Sequence, residues 1–178
     1  FLVGYSPERV SPGESKKNLV NVTKIVSGSN LKAKRRVFEL YKKIVNAGIF
    51  SAKSIKVAEA AKILENMQRD VNISLINEAS IIFNKLKINT FDVLDAAKTK
   101  WNFIDLKPGL VGGHCISVDP YYMKFKSEQL GYKPKVISSG RSVNEKMAKN
   151  LCERTIKEIS NNKKKLQKLK IGLMGLTF

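Results

Sequence analysis

A cysteine in a glycine-rich segment is the feature of this sequence best suited to chemistry. Three glycines precede Cys115, at Gly109, Gly112 and Gly113. They allow the backbone to take positive φ and to come close to a ligand. Asp119 follows four residues after Cys115, directly before a proline that can open a helix. Because a thiolate is favoured near a helix N-terminus, the segment predicts a nucleophilic Cys115. The alternative is a tight structural turn with a small buried cysteine.

The single histidine, His114, limits the kind of cysteine chemistry that is open. A Cys–His hydrolase needs an imidazole within reach of the sulfur, usually from a distant segment, whereas His114 adjoins Cys115 and their side chains diverge. A zinc site needs four ligands at suitable spacing, and Cys152 adds no such pattern. We therefore predict no metal site, and a nucleophilic Cys115 needs activation by a group other than histidine.

Two polar residues on a predicted helix form a second candidate pair. Residues 57–87 contain neither Pro nor Gly, and their apolar residues recur with the helical period. Lys62 and Asn66 are four residues apart and so share one helix face. An ammonium and an amide side by side suit the stabilisation of an oxyanion. The alternative is a solvated helix face, which the spacing of Glu65 and Arg69 also supports.

Glu8 is a further candidate, because it stands where the first predicted strand ends, in SPERV. Ligands of open α/β sheets bind beyond the ends of strands, where a carboxylate is well placed. Many residues at such positions only form turns, so this alternative stays open.

The elements that must position these residues are mostly helical. After strands at 1–5 and 21–28, we expect a helix at 31–47 and a short strand at 53–57. Beyond the long helix, further helices are predicted with Thr90 as N-cap, and at 120–130 and 143–161. The last residues, 169–178, read as another strand. Because the strands at both ends need sheet partners, we expect an internal fragment of a larger enzyme.

The composition excludes several classes of protein. Hydrophobic residues make up 43% of the chain, which is ordinary for a globular protein and too high for a disordered one. No apolar run approaches the roughly 18 residues of a membrane-spanning helix, so no membrane association is expected. Two cysteines are too few for a disulfide scaffold and indicate a reducing, cytoplasmic location.

The net charge of +18 suggests a different class, a basic helical module that binds nucleic acid. The charge is concentrated at 32–36 and 163–170. However, recognition of phosphates and bases favours Arg, and Lys greatly outnumbers Arg in this chain. The sequence also contains no helix-turn-helix, zinc or aromatic stacking motif. We therefore expect no nucleic-acid partner, and a Lys-rich surface also suits an anionic diphosphate substrate.

Five segments together resemble one enzyme family. In chain order they are SPERV, AEAAKILENMQRDVNISLINE, KWNFIDLKPGLVGGHCISVDPYY, GYKPKVISSGRSVNEKM and IGLMGLTF. They are similar to the nucleotide-sugar 6-dehydrogenases over almost the whole chain. GGHC followed by VDPYY resembles the N-acetylhexosamine branch, and LVGGHCI with SGRSVNEKM favours the UDP-N-acetylglucosamine or UDP-N-acetylgalactosamine enzymes of surface-polysaccharide synthesis. UDP-N-acetylmannosamine and UDP-glucose dehydrogenases of the same family are the alternatives.

The resemblance implies oxidation of a sugar C6 alcohol to a carboxylate, with NAD as cofactor. Cys115 then matches the nucleophile that forms a thiohemiacetal and a thioester, and Lys62 and Asn66 match the oxyanion-binding pair. Asp119 matches the carboxylate that transfers protons through water. Glu8 matches the acid of thioester hydrolysis. The three loop glycines would bring backbone amides to the substrate.

The resemblance also implies a domain plan, in which a helical central domain that dimerises joins two Rossmann-like domains. We expect 1–54 to be the end of the NAD-binding domain and 55–142 to be the central domain with the cysteine loop. Residues 143–178 would be a connecting helix and the first strand of the UDP-binding domain. The glycine motif that binds NAD lies outside this chain, so we expect the fragment alone to be inactive.

Overall fold

The computed structural model describes residues 1–10, 17–161, 170–172 and 174. In this part of the chain the structure is mostly helical, as predicted, with a small sheet near the N-terminus. Contacts divide the chain into two compact units, Phe1–Glu65 and Asn66–Phe178. The domain limits after residues 54 and 142 stay predictions. None of the helices in the described ranges combines the length and apolarity that crossing a bilayer requires.

The sheet of the first unit consists of β1 (Gly4–Tyr5), β2 (Lys24–Gly28) and β3 (Ile49–Ser51), in that order. β1 pairs antiparallel to β2, and β3 pairs parallel to it. β2 is central, and its β-branched residues are buried, as is typical of a strand covered on both faces. The strands predicted at 1–5 and 21–28 are thus confirmed, although each is shorter than predicted.

Helix α1 (Leu31–Lys42) connects β2 to β3 and packs on the sheet. The Asn30 side chain caps its N-terminus, since Oδ1 accepts a 2.8 Å hydrogen bond from the Ala33 N–H. The end of β2 must be glycine, because a Cβ on Gly28 would lie only 2.4 Å from the backbone nitrogen of Lys34. The buried apolar residues of this unit are small or branched, namely Ile25, Val26, Ala33, Val45, Ala52 and Ala58, and Ile25, Ala52 and Ala58 form one cluster.

Helix α2 (Ile55–Lys85) contains 31 residues and is about 46 Å long, which confirms the predicted long helix. The strand predicted at 53–57 is wrong. Ser54 caps α2 there, because its Oγ accepts from the Val57 N–H at 3.3 Å and its carbonyl accepts from the Ala58 N–H at 3.2 Å. Because Ser54 caps the helix, residues 55–57 are the first residues of α2 and not part of a strand.

Three further helices follow, α3 (Thr90–Ala97), α4 (Asp119–Gln129) and α5 (Lys135–Asn161). The cap of α3 is Asn89 rather than Thr90, since Asn89 Oδ1 accepts from the Phe91 N–H at 2.9 Å. α5 begins eight residues before the predicted 143, directly after Pro134. The strand predicted at 169–178 and the Lys-rich 163–170 segment lie for the most part outside the described residues.

The core of the second unit is unusually polar. Its buried apolar residues are Met67, Ile76, Leu94 and Met147. Between α2 and α5 the buried side chains are instead polar or charged, namely Asp70, Asn77, Arg141 and Asn144. Buried polar groups are stable only when they are hydrogen-bonded. The contacts among them therefore define how the two helices pack.

Candidate active site

Cys115 lies in a tight turn that leads into α4. Gly113 takes a φ of 89°, a conformation that favours glycine. Its carbonyl accepts a 2.5 Å hydrogen bond from Ser117 Oγ. The carbonyl of Cys115 accepts from the N–H groups of Val118 at 3.1 Å and Asp119 at 2.8 Å. Cys115 itself is an exposed free thiol, which contradicts the alternative of a buried structural cysteine.

The other two glycines of the segment do not need their conformational freedom. Gly109 and Gly112 lie outside the positive-φ region that we predicted for them. A Cβ at either position would meet nothing within 4 Å in the described part of the chain. The physical reason is that both stand in the irregular segment before the turn, and the turn itself is made at Gly113. Their predicted approach to a substrate stays a prediction.

Asn66 and Asp119, two of the predicted site residues, are in direct contact. Asn66 is buried on α2, with 3% of its surface exposed, and its Nδ2 donates a 2.6 Å hydrogen bond to Asp119 Oδ2. Asp119 is the first residue of α4, where the helix dipole favours a negative charge. Through its N–H it also binds the carbonyl of Cys115. Asn66, Asp119 and the backbone of Cys115 thus form one connected group.

In the first unit, Glu8 and Lys62 both act on a third charged residue, Lys24. Burial lowers the pKa of Lys24, and the positive charges of Arg9 and Lys62 lower it further, while the negative charge of Glu8 raises it. Lys24 is 7% exposed, and its Nζ donates a 2.8 Å hydrogen bond to the carbonyl of Pro7. Glu8 itself is exposed. The structure therefore gathers these side chains around the start of β2.

The segment that carries Glu8 is tied to β2 and α2. Ser6 Oγ donates to the carbonyl of Ile25 at 2.5 Å, and Arg9 donates to the carbonyl of Thr23 at 2.6 Å. Arg9 also forms a salt bridge of 2.9 Å with Glu65. The partner of Glu65 is thus Arg9, although the sequence spacing pointed to Arg69.

The five predicted residues consequently form two groups. The second unit holds Cys115, Asn66 and Asp119, and the first unit holds Glu8 and Lys62. Lys62 stands one helical turn before Asn66 on α2, as the sequence spacing requires. Each unit also contains a residue that we did not predict, Lys24 in the first unit and Asn77 in the second.

Sequence reasoning missed Lys24 and Asn77, although each carries a recognisable signal. Lys24 directly precedes the buried Ile25 and Val26, and a lysine in a central strand must find a partner. Asn77 lies on the same helix face as the buried Asp70, seven residues earlier. Polar residues repeating along a buried face indicate a hydrogen-bonded network rather than solvent exposure.

A metal ion and NAD each need a particular set of groups to bind them. The described residues contain no group of three or more His, Cys, Asp or Glu side chains arranged to hold a metal ion. The turn from β2 into α1 is the strand-to-helix turn at which a phosphate could bind. There the Asn30 side chain already accepts from the first turn of α1, and Gly28 serves close packing. These residues do not fit the phosphates of NAD.

Residues 56–146 match the family model described as the UDP-glucose/GDP-mannose dehydrogenase family, central domain. The chain belongs to the UDP-glucose/GDP-mannose dehydrogenase family. The matched range contains Cys115, Asn66, Asp119 and Lys62, and the family resemblance seen in the sequence is confirmed.

Two individual relatives are similar to this chain over its full length. The chain is 51% identical over 178 residues to the protein CapL of Staphylococcus aureus. It is 49% identical over the same length to the UDP-N-acetyl-D-glucosamine 6-dehydrogenase of Salmonella typhi. In both cases the match covers all of this chain and 42% of the relative.

A solved structure shows the same fold. The UDP-D-ManNAc dehydrogenase of Pyrococcus horikoshii superposes with a TM-score of 0.83 at 30% identity. The superposition covers 93% of this chain and 39% of that protein. The chain therefore spans less than half the length of the relatives it matches.

Proposed function

We propose that this chain is part of an NAD-dependent UDP-N-acetylhexosamine 6-dehydrogenase. The observation that carries the proposal is the exposed Cys115, in a glycine turn beside the hydrogen-bonded Asn66 and Asp119. It is supported by 49% identity to a UDP-N-acetyl-D-glucosamine 6-dehydrogenase. The substrate is a UDP-N-acetylhexosamine whose C6 alcohol becomes a carboxylate. UDP-N-acetylmannosamine and UDP-glucose are the alternative substrates within the family.

Cys115 provides the covalent step of this reaction. Its thiolate adds to the carbon of the C6 aldehyde and forms a C–S bond, and the carbonyl oxygen becomes the oxygen of a thiohemiacetal. Loss of a hydride from that carbon gives a thioester. Water then attacks the thioester, the C–S bond breaks, and the carboxylate and the Cys115 thiol are released. An exposed thiol in a turn can be reached by the aldehyde.

Lys62 and Asn66 stabilise the negative charge that develops on the substrate oxygen. The Asn66 amide has two N–H groups, and one of them holds Asp119. The other is the donor for the oxyanion. The ammonium of Lys62, one turn earlier on α2, adds a positive charge in the same region of the helix, which stabilises both the oxyanion and the thiolate.

Asp119 and Glu8 manage protons in this mechanism. Asp119 is held by Asn66 and passes protons to and from a water molecule. Glu8 assists the attack of water on the thioester. The tethers of Ser6 and Arg9 on either side of Glu8 keep its backbone in place while its side chain stays exposed.

When bound to the intact enzyme, NAD would supply the acceptor for the hydride that is lost in each of the two oxidations. Since the residues at the β2–α1 turn do not fit its phosphates, we assign the binding of the phosphates to segments of the intact enzyme outside this chain. This chain contributes the nucleophile, the oxyanion donors and the proton-transfer groups.

A homodimer is also proposed, through the helical domain. It is supported by large apolar side chains on α2 that are exposed, with Leu75 at 62% and Ile82 at 50%. Apolar residues at helical spacing along an exposed face suit a protein interface. Light scattering after size-exclusion chromatography of the intact enzyme tests this, and a monomeric mass would contradict it.

The function is tested by supplying the intact enzyme with UDP-GlcNAc, UDP-GalNAc, UDP-ManNAc and UDP-Glc in parallel. NADH absorbance gives the rate, and the expected result is fastest turnover of an N-acetylhexosamine from the first two. Two NADH should form per carboxylate, because an alcohol and then an aldehyde are oxidised. Turnover of UDP-glucose alone would contradict the substrate class, and no turnover of any sugar nucleotide would contradict the function.

A further inference from the structure

A single side chain tethers the segment that leads to Cys115. Asn77, which is fully buried on α2, binds both polar groups of the Gly109 backbone. The Gly109 N–H donates to Asn77 Oδ1 at 2.8 Å, and Asn77 Nδ2 donates to the Gly109 carbonyl at 3.0 Å. In the described part of the chain these are the only hydrogen bonds found for residues 104–112. Among hydrogen bonds within the described residues, this contact alone holds the irregular segment against α2.

A buried charge determines which way the Asn77 amide faces. The carboxylate of Asp70 can only accept hydrogen bonds, and Asn144 Nδ2 donates to it at 2.8 Å. Asn144 must then turn its oxygen toward Asn77, whose Nδ2 donates to it at 2.9 Å. This leaves Asn77 Oδ1 facing the Gly109 N–H. Arg141 secures the start of this chain of hydrogen bonds, since it donates to Asp70 Oδ1 at 2.7 Å.

The network is not the arrangement that would give the greatest stability. Asp70 Oδ2 and Arg141 Nε are buried without a hydrogen-bond partner among the described residues. Unsatisfied buried polar atoms cost free energy, and apolar side chains of similar volume often replace a buried ion pair without loss of stability. What the polar network provides instead is one defined orientation of the Asn77 amide.

We propose that Asn77 is a positioning residue that fixes the Gly109 backbone and thereby sets the location of Cys115 for attack on the substrate. Asn144, Asp70 and Arg141 orient the Asn77 amide for this task. The part that concerns catalysis rests on the proposed function, whereas the tether itself does not. The two parts are therefore measured separately.

The test compares Asn77→Ala with Ser74→Ala in the intact enzyme. Ser74 is also buried on α2, and its Oγ donates a part-buried hydrogen bond to the Val71 carbonyl at 2.7 Å, so this control loses a side-chain hydrogen bond without touching the loop. Hydrogen–deuterium exchange of the peptide covering 104–114 reports the tether. We expect faster exchange there in Asn77→Ala and wild-type exchange in Ser74→Ala.

Steady-state kinetics report the consequence for catalysis. Misplacement of a reacting group by about 1 Å can cost about 10²-fold, so kcat of Asn77→Ala should fall by about that factor while KM changes less. Ser74→Ala should keep the wild-type kcat. Unchanged exchange in Asn77→Ala would overturn the tether, and faster exchange with a wild-type kcat would overturn the positioning role.

A second variant covers the case in which Asn77→Ala does not fold. Asn144→Ala leaves both Gly109 contacts possible but removes the partner that orients the Asn77 amide. It should also speed exchange of 104–114 and lower kcat, and wild-type behaviour in both would contradict the role of the network. Failure of the proposed function is distinguishable, because the wild-type enzyme would then turn over no sugar nucleotide while the exchange result at 104–114 would still stand.

Discussion

The 2.6 Å hydrogen bond from Asn66 Nδ2 to Asp119 Oδ2 joins the middle of α2 to the first residue of α4. Because Asp119 also donates its N–H to the carbonyl of Cys115, the bond connects a buried helix position to the turn that carries the thiol. One amide thereby holds the carboxylate of a residue whose backbone is bonded to that of the nucleophile.

Replacing Asn66 with Ala should lower kcat by about 10²-fold or more, as loss of an oxyanion donor does in other enzymes. It should also lower the free energy of unfolding by about 1.5–3 kcal/mol, because the bond is made to a charged group. Kinetics and denaturant unfolding of the intact enzyme measure both. Asn72→Ala, on the same helix, is the control, and equal effects of the two variants would contradict the role of Asn66.

Replacing Lys62 with Ala should reduce turnover by about 10²-fold if the ammonium stabilises an oxyanion. Lys56→Ala removes an exposed lysine from the same helix and should leave turnover unchanged. NADH formation at saturating substrate is the measurement. A wild-type rate for Lys62→Ala would support the alternative of a solvated helix face.

The sequence predicts the elements that have a regular local pattern, and it does not predict those that depend on tertiary contacts. The helical period of 57–87 predicts α2, because its apolar residues face a core at regular spacing. The early start of α5 was missed, because the sequence from Val136 to Gly140 includes β-branched residues, serines and a glycine, which disfavour a helix. Tertiary contacts outweigh that preference, since Gly140 and Arg141 are buried within α5.

Some residues of the candidate site can likewise be predicted from the sequence, and others cannot. Cys115 and Asp119 are visible in the sequence, because their residue types and local spacing indicate chemistry. The contact of Asn77 with Gly109 is not, since it joins residues 32 positions apart through the backbone of the glycine. Contacts between a side chain and a distant backbone leave no periodic pattern, and only the fold reveals them.

Lys24 should make the stability of the protein depend on pH in the alkaline range. Its pKa in the folded protein is lowered from the ordinary 10.5, chiefly by burial, so the unfolded chain binds the proton more tightly between the two values. The cost of burying the charge is fully present below the folded pKa, and it is relieved as pH rises through that pKa toward 10.5.

Lys24→Met removes this dependence. The free energy of unfolding of the wild type, relative to the variant, should therefore increase with pH in the window that ends at 10.5. Urea unfolding at a series of pH values measures the difference, and Lys56→Met corrects for the loss of one positive charge. Parallel curves for wild type and Lys24→Met would contradict the account.

Arg141→Met should destabilise the protein by about 3–5 kcal/mol, because it leaves the carboxylate of Asp70 buried without its counter-charge. The two side chains are 9% and 1% exposed. Replacing both, as Asp70→Leu with Arg141→Met, should recover much of the loss. The exposed pair of Lys149 and Glu153 is the control, and Lys149→Met should cost less than about 1 kcal/mol.

The measurement that tests the central claim most directly is the yield of sugar carboxylate from the intact enzyme with Cys115→Ser. Chromatography with mass spectrometry quantifies the product from UDP-GlcNAc or UDP-GalNAc. Cys152→Ser, which changes the other exposed thiol, should form carboxylate at the wild-type rate. We predict that Cys115→Ser forms none, and carboxylate formation by Cys115→Ser at the wild-type rate would contradict the assignment of Cys115 as the nucleophile.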